Sequence, residues 1–182
     1  MGTSLVTGPA EENTVKSTPT DAELPIDSDL DVDSTYTGRP RPIHLRWRYL
    51  GLVAVGGMIG TAVREALSLV IPSIAGIPVA TFAINIVGAF ALGALLETLA
   101  RRGPDEGRRR KIRLLVGTGV LGGFTTYSSL ATDSILLTDG HGWRGALYAL
   151  GTLVLGALAT FAGIAIAASA HRSRQAADEV VE

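Results

Sequence analysis

Residues 146–168 read ALYALGTLVLGALATFAGIAIAA, an uncharged stretch with apolar or small side chains on every side of a helical wheel. A helix on the surface of a water-soluble bundle keeps a polar stripe at the 3.6-residue period. This stretch has none, and it exceeds the roughly 20 residues that carry a helix across the hydrocarbon core of a bilayer. Working outward, YLGLVAVGGMIG at 49–60 and IVGAFALGALL at 86–96 have the same character. Four apolar stretches, about 48–71, 77–100, 113–137 and 143–168, are separated by short turn-rich or basic segments. The pattern excludes a soluble helical bundle and predicts an all-α membrane protein with four transmembrane helices.

The chain's mean hydropathy of +0.32 averages two unlike parts. Residues 1–42 carry eight carboxylates among many Ser, Thr and Pro, with Tyr36 as the sole aromatic. Such a segment cannot bury enough apolar surface to offset its chain entropy, and it reads as a disordered acidic tail. It lacks the basic then apolar run of a signal peptide. The membrane domain occupies 43–170, and 171–182 forms a short C-terminal tail. With 16 basic and 17 acidic residues, the formal charge of −1 gives no basic excess for nucleic acid. The absence of Cys excludes disulfide staples and thiolate metal sites, and three His scattered at 44, 141 and 171 give no imidazole cluster for metal or triad chemistry.

Small residues indicate how the spans meet. Gly56, Gly57 and Gly60 recur on the first, Gly88 and Gly93 mark the second, and Gly145, Ala149, Gly156, Ala159 and Gly163 run down the fourth. Helices in lipid associate through close backbone approach, which such residues allow. A bundle this thin encloses little, so a solute pathway is expected in an oligomer.

The loop charges are lopsided. Arg39, Arg41, Arg46, Arg48, then Arg101, Arg102, Arg108, Arg109, Arg110, Lys111 and Arg113, then Arg172 and Arg174 fall on one side, and Arg144 alone on the other. The excess of basic residues in cytoplasmic loops predicts that both termini and the second loop face the cytoplasm, in a single fixed orientation in the cell membrane.

Polar groups inside the spans are costly and carry a functional expectation. Arg64 and Glu65 lie about two turns before the end of the first stretch, as interfacial anchors or vestibule groups. On the second, Thr81, Asn85 and Gly88 share one helix face. The Asn85 carboxamide is either a staple between helices or part of a pathway. The third span reads VGTGVLGGFTTYSSLATDS at 116–134, where a Gly-Gly pair precedes a dense run of hydroxyls. Gly lowers the cost of leaving helical geometry and hydroxyls can satisfy the freed backbone groups, so a mid-membrane break is expected between Gly122 and Ser129. Broken helices expose carbonyls to a small cation and donors to an anion. Asp133, about a turn later, reads as a helix-end or interfacial group.

Three motifs, GGMIGTAVR at 56–64, TFAINIVGAFALG at 81–93 and GVLGGFTTYSSL at 119–130, together resemble the Fluc/CrcB fluoride channels. The match spans roughly 49–168. It implies a passive fluoride channel, not an enzyme, that lowers cytoplasmic fluoride. It further implies an antiparallel dimer with two fluoride pathways along the interface and a structural sodium ion at the centre. On that likeness Asn85 donates to fluoride, and Thr126, Ser128 and Ser129 supply the hydroxyl line. The backbone carbonyls of Gly122 and Thr125 hold sodium, and Arg64 ends the first motif. The family lines its pore with two phenylalanines, whose electropositive ring edges can face an anion. Those positions here read Tyr127 and Leu130.

Leu130 has no ring edge to offer, so a homodimer of this chain would lack one anion-facing aromatic on each pathway. An antiparallel homodimer also requires insertion in both orientations, which the arginine bias opposes. The expectation is therefore a heterodimer with a paralogue inserted the opposite way. Two rival readings are a proton-coupled four-helix drug exporter, which would need Glu65 or Asp133 as its membrane carboxylate, and a non-conducting partner subunit. Aromatics at 5% argue against the exporter's cation pocket.

Overall fold

The structure is a computed structural model that describes residues 46–138 and 142–181; the acidic tail read at 1–42 lies outside them. Helix α1 spans Trp47–Val70 and α2 spans Val79–Ala100. Helix α3 starts as Gly107–Ile112, widens into a π-helical stretch over Arg113–Leu121 and finishes with the turn Gly122–Phe124. Helix α4 is Tyr127–Leu136 and α5 is Gly142–Val181. Among the described residues, four segments are long and apolar enough to cross a membrane: Trp47–Val70, Val79–Ala100, Gly107–Leu136, which joins α3 to α4, and Gly142–Gln175. The chain is a multi-pass membrane protein, and its described residues form helices with no strand among them. Its outward side chains agree: Met58, Leu69, Leu147 and Phe161 are all more than half exposed, which suits lipid and not water.

Helix α1 packs along α3, and α2 along α5. Glycine decides both seams. A Cβ on Gly56 would meet the Leu115 carbonyl oxygen, and one on Gly60 the Val120 carbonyl oxygen. From the facing side, a Cβ on Gly119 would lie 2.9 Å from the Gly56 Cα, and one on Gly123 would run into the Gly57 carbonyl. In the second seam Gly93 faces the Thr160 backbone and Gly163 the Phe90 carbonyl, while Gly145 lies against Ser134 of α4. These seams bring backbone against backbone, the geometry through which helices attract in lipid.

Two boundaries differ from the hydropathy reading. The second span begins at Val79 and not near 77, because Ile74 and Ile77 exchange backbone hydrogen bonds of 3.1 and 2.9 Å in a tight turn. The turn's central residues, Ala75 and Gly76, have φ of 52° and 78°, a left-handed pair that reverses the chain sharply. At the other end α5 does not stop near 168. The residues that follow include Ala170, Arg172, Arg174, Gln175, Ala176 and Ala177, strong helix formers that need no apolar face to stay helical. The segment read as a C-terminal tail is thus helical through Val181. Forty residues of helix measure about 60 Å, twice a hydrocarbon core.

Candidate functional site

The chain leaves helical geometry where α3 meets α4. Phe124 closes α3, and Thr125 (φ −74°, ψ 154°) and Thr126 (φ −146°, ψ 119°) are both extended before Tyr127 opens α4. A neighbouring helix compensates the interrupted backbone. The Asn85 Nδ2 donates to the Thr126 carbonyl at 3.0 Å, and the Thr126 N–H donates to Asn85 Oδ1 at 2.8 Å. One carboxamide thereby pairs with both backbone polar groups of one residue, 41 positions away in sequence. The second Nδ2 hydrogen has no partner among the described residues.

The hydroxyls complete the junction. Thr126 Oγ1 accepts the Ser129 N–H at 3.1 Å and so caps α4, while donating to Ser129 Oγ at 3.0 Å and lying 3.2 Å from Ser128 Oγ. Thr125 Oγ1 donates back to the Leu121 carbonyl at 3.0 Å, and Thr61 of α1 donates to the Gly123 carbonyl at 3.4 Å. In an unbroken helix the Gly122 carbonyl would accept the Thr126 N–H, and the Thr125 carbonyl would accept the Ser129 N–H. Both donors are diverted to side chains, Asn85 Oδ1 and Thr126 Oγ1. These two carbonyl oxygens thus lose their helical partners. Hard, neutral oxygens of this kind suit a small monovalent cation, so the donor set fits sodium chemically.

Beside the junction lies an open groove of about 400 Å³ between α2, α4 and α5. Asn85, Thr125, Thr126, Tyr127 and Leu130 line it. Tyr127 is 78% exposed, whereas Leu130 is only 5% exposed and presents an apolar wall. Ser128, Ser129 and Gly122 do not line the groove, although the two serines are bonded to Thr126, which does. Thr81 and Gly88 share the Asn85 face: Thr81 is buried, and Gly88 abuts the Thr125 and Phe124 side chains. Arg64 sits on α1, half-buried and away from the groove.

Sequence reading overlooked the α5 wall, formed by Thr152, Leu153, Gly156, Ala157 and Thr160. The signal was available: Tyr148, Thr152 and Thr160 fall four and eight residues apart on one face of a span read only for its small residues. Each threonine also bonds back to its own helix, Thr152 to the Tyr148 carbonyl at 2.7 Å and Thr160 to the Gly156 carbonyl at 3.0 Å. Asp133, on α4, is half-buried, and its Oδ2 is shielded with no hydrogen-bond partner among the described residues.

The family model described as "CrcB-like protein, Camphor Resistance (CrcB)" matches residues 51–164, which include α2, α3, α4, the interruption and the groove. The chain belongs to the CrcB-like family. This CrcB-like protein is 56% identical over 130 residues to "Fluoride-specific ion channel FluC 2" of Leifsonia xyli subsp. xyli, covering 70% of this chain and 89% of that protein. It is 47% identical over 118 residues to "Fluoride-specific ion channel FluC 1" of Cutibacterium acnes, covering 64% and 82%. To "Fluoride-specific ion channel FluC" of Novosphingobium aromaticivorans it is 42% identical over 119 residues, covering 63% and 91%.

Proposed function

We propose that this CrcB-like protein is a subunit of a fluoride-selective passive channel that lets fluoride leave the cell. The observation that carries the reading is the extended Thr125–Thr126 junction, held by Asn85 beside an open groove with hydrogen-bond donors. The relatives' names supply the ion.

Fluoride is small and strongly hydrated, so a narrow route must offer donors in place of its water. Charge-assisted hydrogen bonds to an anion are the strong ones. The remaining Asn85 N–H is the donor at the groove; the Thr126 hydroxyl, itself donated to Ser129, links it to the Ser128 and Ser129 hydroxyls, which continue the line beyond the groove, and Asn85 is oriented because its other polar atoms are already bound. Tyr127 offers an aromatic edge, and Leu130 narrows the route without attracting the anion. Arg64 contributes positive charge at a vestibule. A larger halide gains less from the same donors.

The groove is open on one side, which agrees with a pathway completed by a second subunit. The reading places two subunits antiparallel, with the carbonyls of Gly122 and Thr125 and their counterparts holding a structural sodium ion. When bound, that ion supplies fixed positive charge at the junction. The bias of basic residues favours cytoplasmic termini and a partner of opposite orientation, so the reading assigns the partner to a paralogue. Leu130 then leaves the pathway lined by this chain's third span the poorer of two.

A fluoride electrode on liposomes tests this directly. Liposomes carrying this chain with an oppositely oriented paralogue should release fluoride and retain chloride, while this chain alone should not conduct. Efflux from this chain alone would overturn the heterodimer. Silence in the mixture and from each subunit alone would remove the channel reading.

A further inference from the structure

The end of the bundle where α2 finishes and α3 begins carries seven cations, Arg101, Arg102, Arg108, Arg109, Arg110, Lys111 and Arg113, against the carboxylates of Glu97, Asp105 and Glu106. The connecting loop is built, not slack. Gly103 and Gly107 adopt φ of 114° and 53°. The Arg109 Nε donates to the Pro104 carbonyl at 2.7 Å, and the Arg110 Nε to the Asp105 carbonyl at 2.8 Å. Arg113 grips the Asp105 carboxylate through Nε at 2.9 Å and Nη2 at 2.6 Å. Arg101 pairs with Glu97 one turn back on α2. Four arginines therefore fasten the loop to itself and to the helix ends, and they consume Asp105 and Glu97 in doing so.

Arg102, Arg108 and Lys111 remain. They form no ion pair or hydrogen bond among the described residues, and Arg102 and Arg108 are exposed. Four membrane crossings bring Arg48, in the first turn of α1, and Arg172 and Arg174, in the last turns of α5, to the same end of the bundle; all three are exposed. A loop that joins two spans cannot leave the edge of the apolar slab. Its cations therefore lie within a Debye length, about 8–10 Å, of the lipid phosphates.

We propose that this loop is a docking surface for anionic phospholipid headgroups. Arg102, Arg108 and Lys111 contact the phosphate, and Arg109, Arg110 and Arg113 position them. Because the loop is already ordered by its own hydrogen bonds, a headgroup binds without the cost of ordering it. The surface is independent of the fluoride reading, since none of its residues lines the groove.

The test is thermal unfolding of the purified full chain in a zwitterionic detergent, titrated with short-chain phosphatidylglycerol, short-chain phosphatidylcholine or inorganic phosphate. Phosphatidylglycerol should raise the melting temperature, and the other two should leave it unchanged. In the triple variant Arg102→Gln, Arg108→Gln, Lys111→Gln the half-effect concentration should rise on the order of a hundredfold, at roughly fivefold per cation lost. Equal shifts with phosphatidylcholine, or an unaltered titration of the triple variant, would overturn the proposal. A matching shift with inorganic phosphate would replace the lipid surface with a free-anion site. If the triple variant does not fold, the three titrations on the unaltered chain and the single change Arg108→Gln still decide the matter.

Discussion

The seam between α1 and α3 and the groove beside α4 are built from the same small and hydroxylated residues, yet one is closed and the other open. Along the seam, Gly56 and Gly60 let carbonyls of the facing helix occupy the space where a side chain would stand. At the groove, Asn85 and Thr126 side chains reach backbone groups and take the N–H donors that would have continued the helix. The difference lies in what touches the backbone. Backbone against backbone preserves the helix and excludes solute, whereas side chain against backbone interrupts the helix, frees the Gly122 and Thr125 carbonyls of their helical partners and leaves an Asn85 N–H beside a cleft.

The most damaging way to break that contrast is to open the closed seam. Gly60→Leu forces a branched side chain into the Val120 carbonyl, which belongs to backbone and cannot swing aside. The cost should reach or exceed the ~3 kcal/mol at the upper end of overpacking. That is a large share of the 5–15 kcal/mol typical of a folded domain. The expected result is loss of monodisperse protein in size-exclusion chromatography. A normal elution profile and melting temperature would mean that α1 and α3 do not approach as described.

Breaking the groove should cost less in stability and more in transport. Asn85→Ala removes two hydrogen bonds to Thr126, and each buried bond contributes about 1 kcal/mol, less in some membrane settings. Assembly should survive with a lower melting temperature, while fluoride efflux from liposomes holding the complete channel falls at least tenfold. If assembly is lost instead, Asn85 is a staple between helices and not a transport residue.

The two regions were unequally legible in sequence. Four spans followed from length and the missing polar stripe, and the role of Gly56, Gly60, Gly93 and Gly163 followed from spacing, because close packing in lipid needs small residues at helical intervals. The shared face of Thr81, Asn85 and Gly88 was likewise readable from one helix alone. The pairing of Asn85 with Thr126 was not, since it depends on how two helices register across 41 residues. Nor was the diversion of the Thr126 and Ser129 N–H groups, which depends on that pairing and on a local cap. The Thr152 and Thr160 wall carried a signal that the strong small-residue pattern of the same span obscured. The length of α5 escaped a reading based on hydropathy, because Arg, Gln and Ala extend a helix without extending an apolar stretch.

A smaller effect separates the cap from the clamp. Thr126→Val keeps the backbone groups that bind Asn85 but removes the Oγ1 that accepts the Ser129 N–H and meets both serine hydroxyls. Loss of an N-cap costs about 1 kcal/mol, so the melting temperature should fall modestly. Efflux should fall too, by less than in Asn85→Ala, because Asn85 stays oriented. An efflux loss equal to that of Asn85→Ala would shift the main anion contact from the carboxamide to the hydroxyl line.

The smallest effect belongs to a glycine on the same helix as Gly56 and Gly60 that takes no part in the seam. A Cβ on Gly51 meets nothing within 4 Å, and the residue is exposed. Gly51→Ala therefore adds a methyl to open space and restricts the unfolded chain. Helix propensity alone favours Ala over Gly by up to about 1 kcal/mol in a helix interior. The melting temperature should stay level or rise slightly, and efflux should not change. Set beside Gly60→Leu, this outcome would show that α1 depends on particular glycines and not on a general need for flexibility. A clear destabilisation at Gly51 would instead mean that another helix covers this outward face, extending the closed surface of α1 beyond the seam with α3.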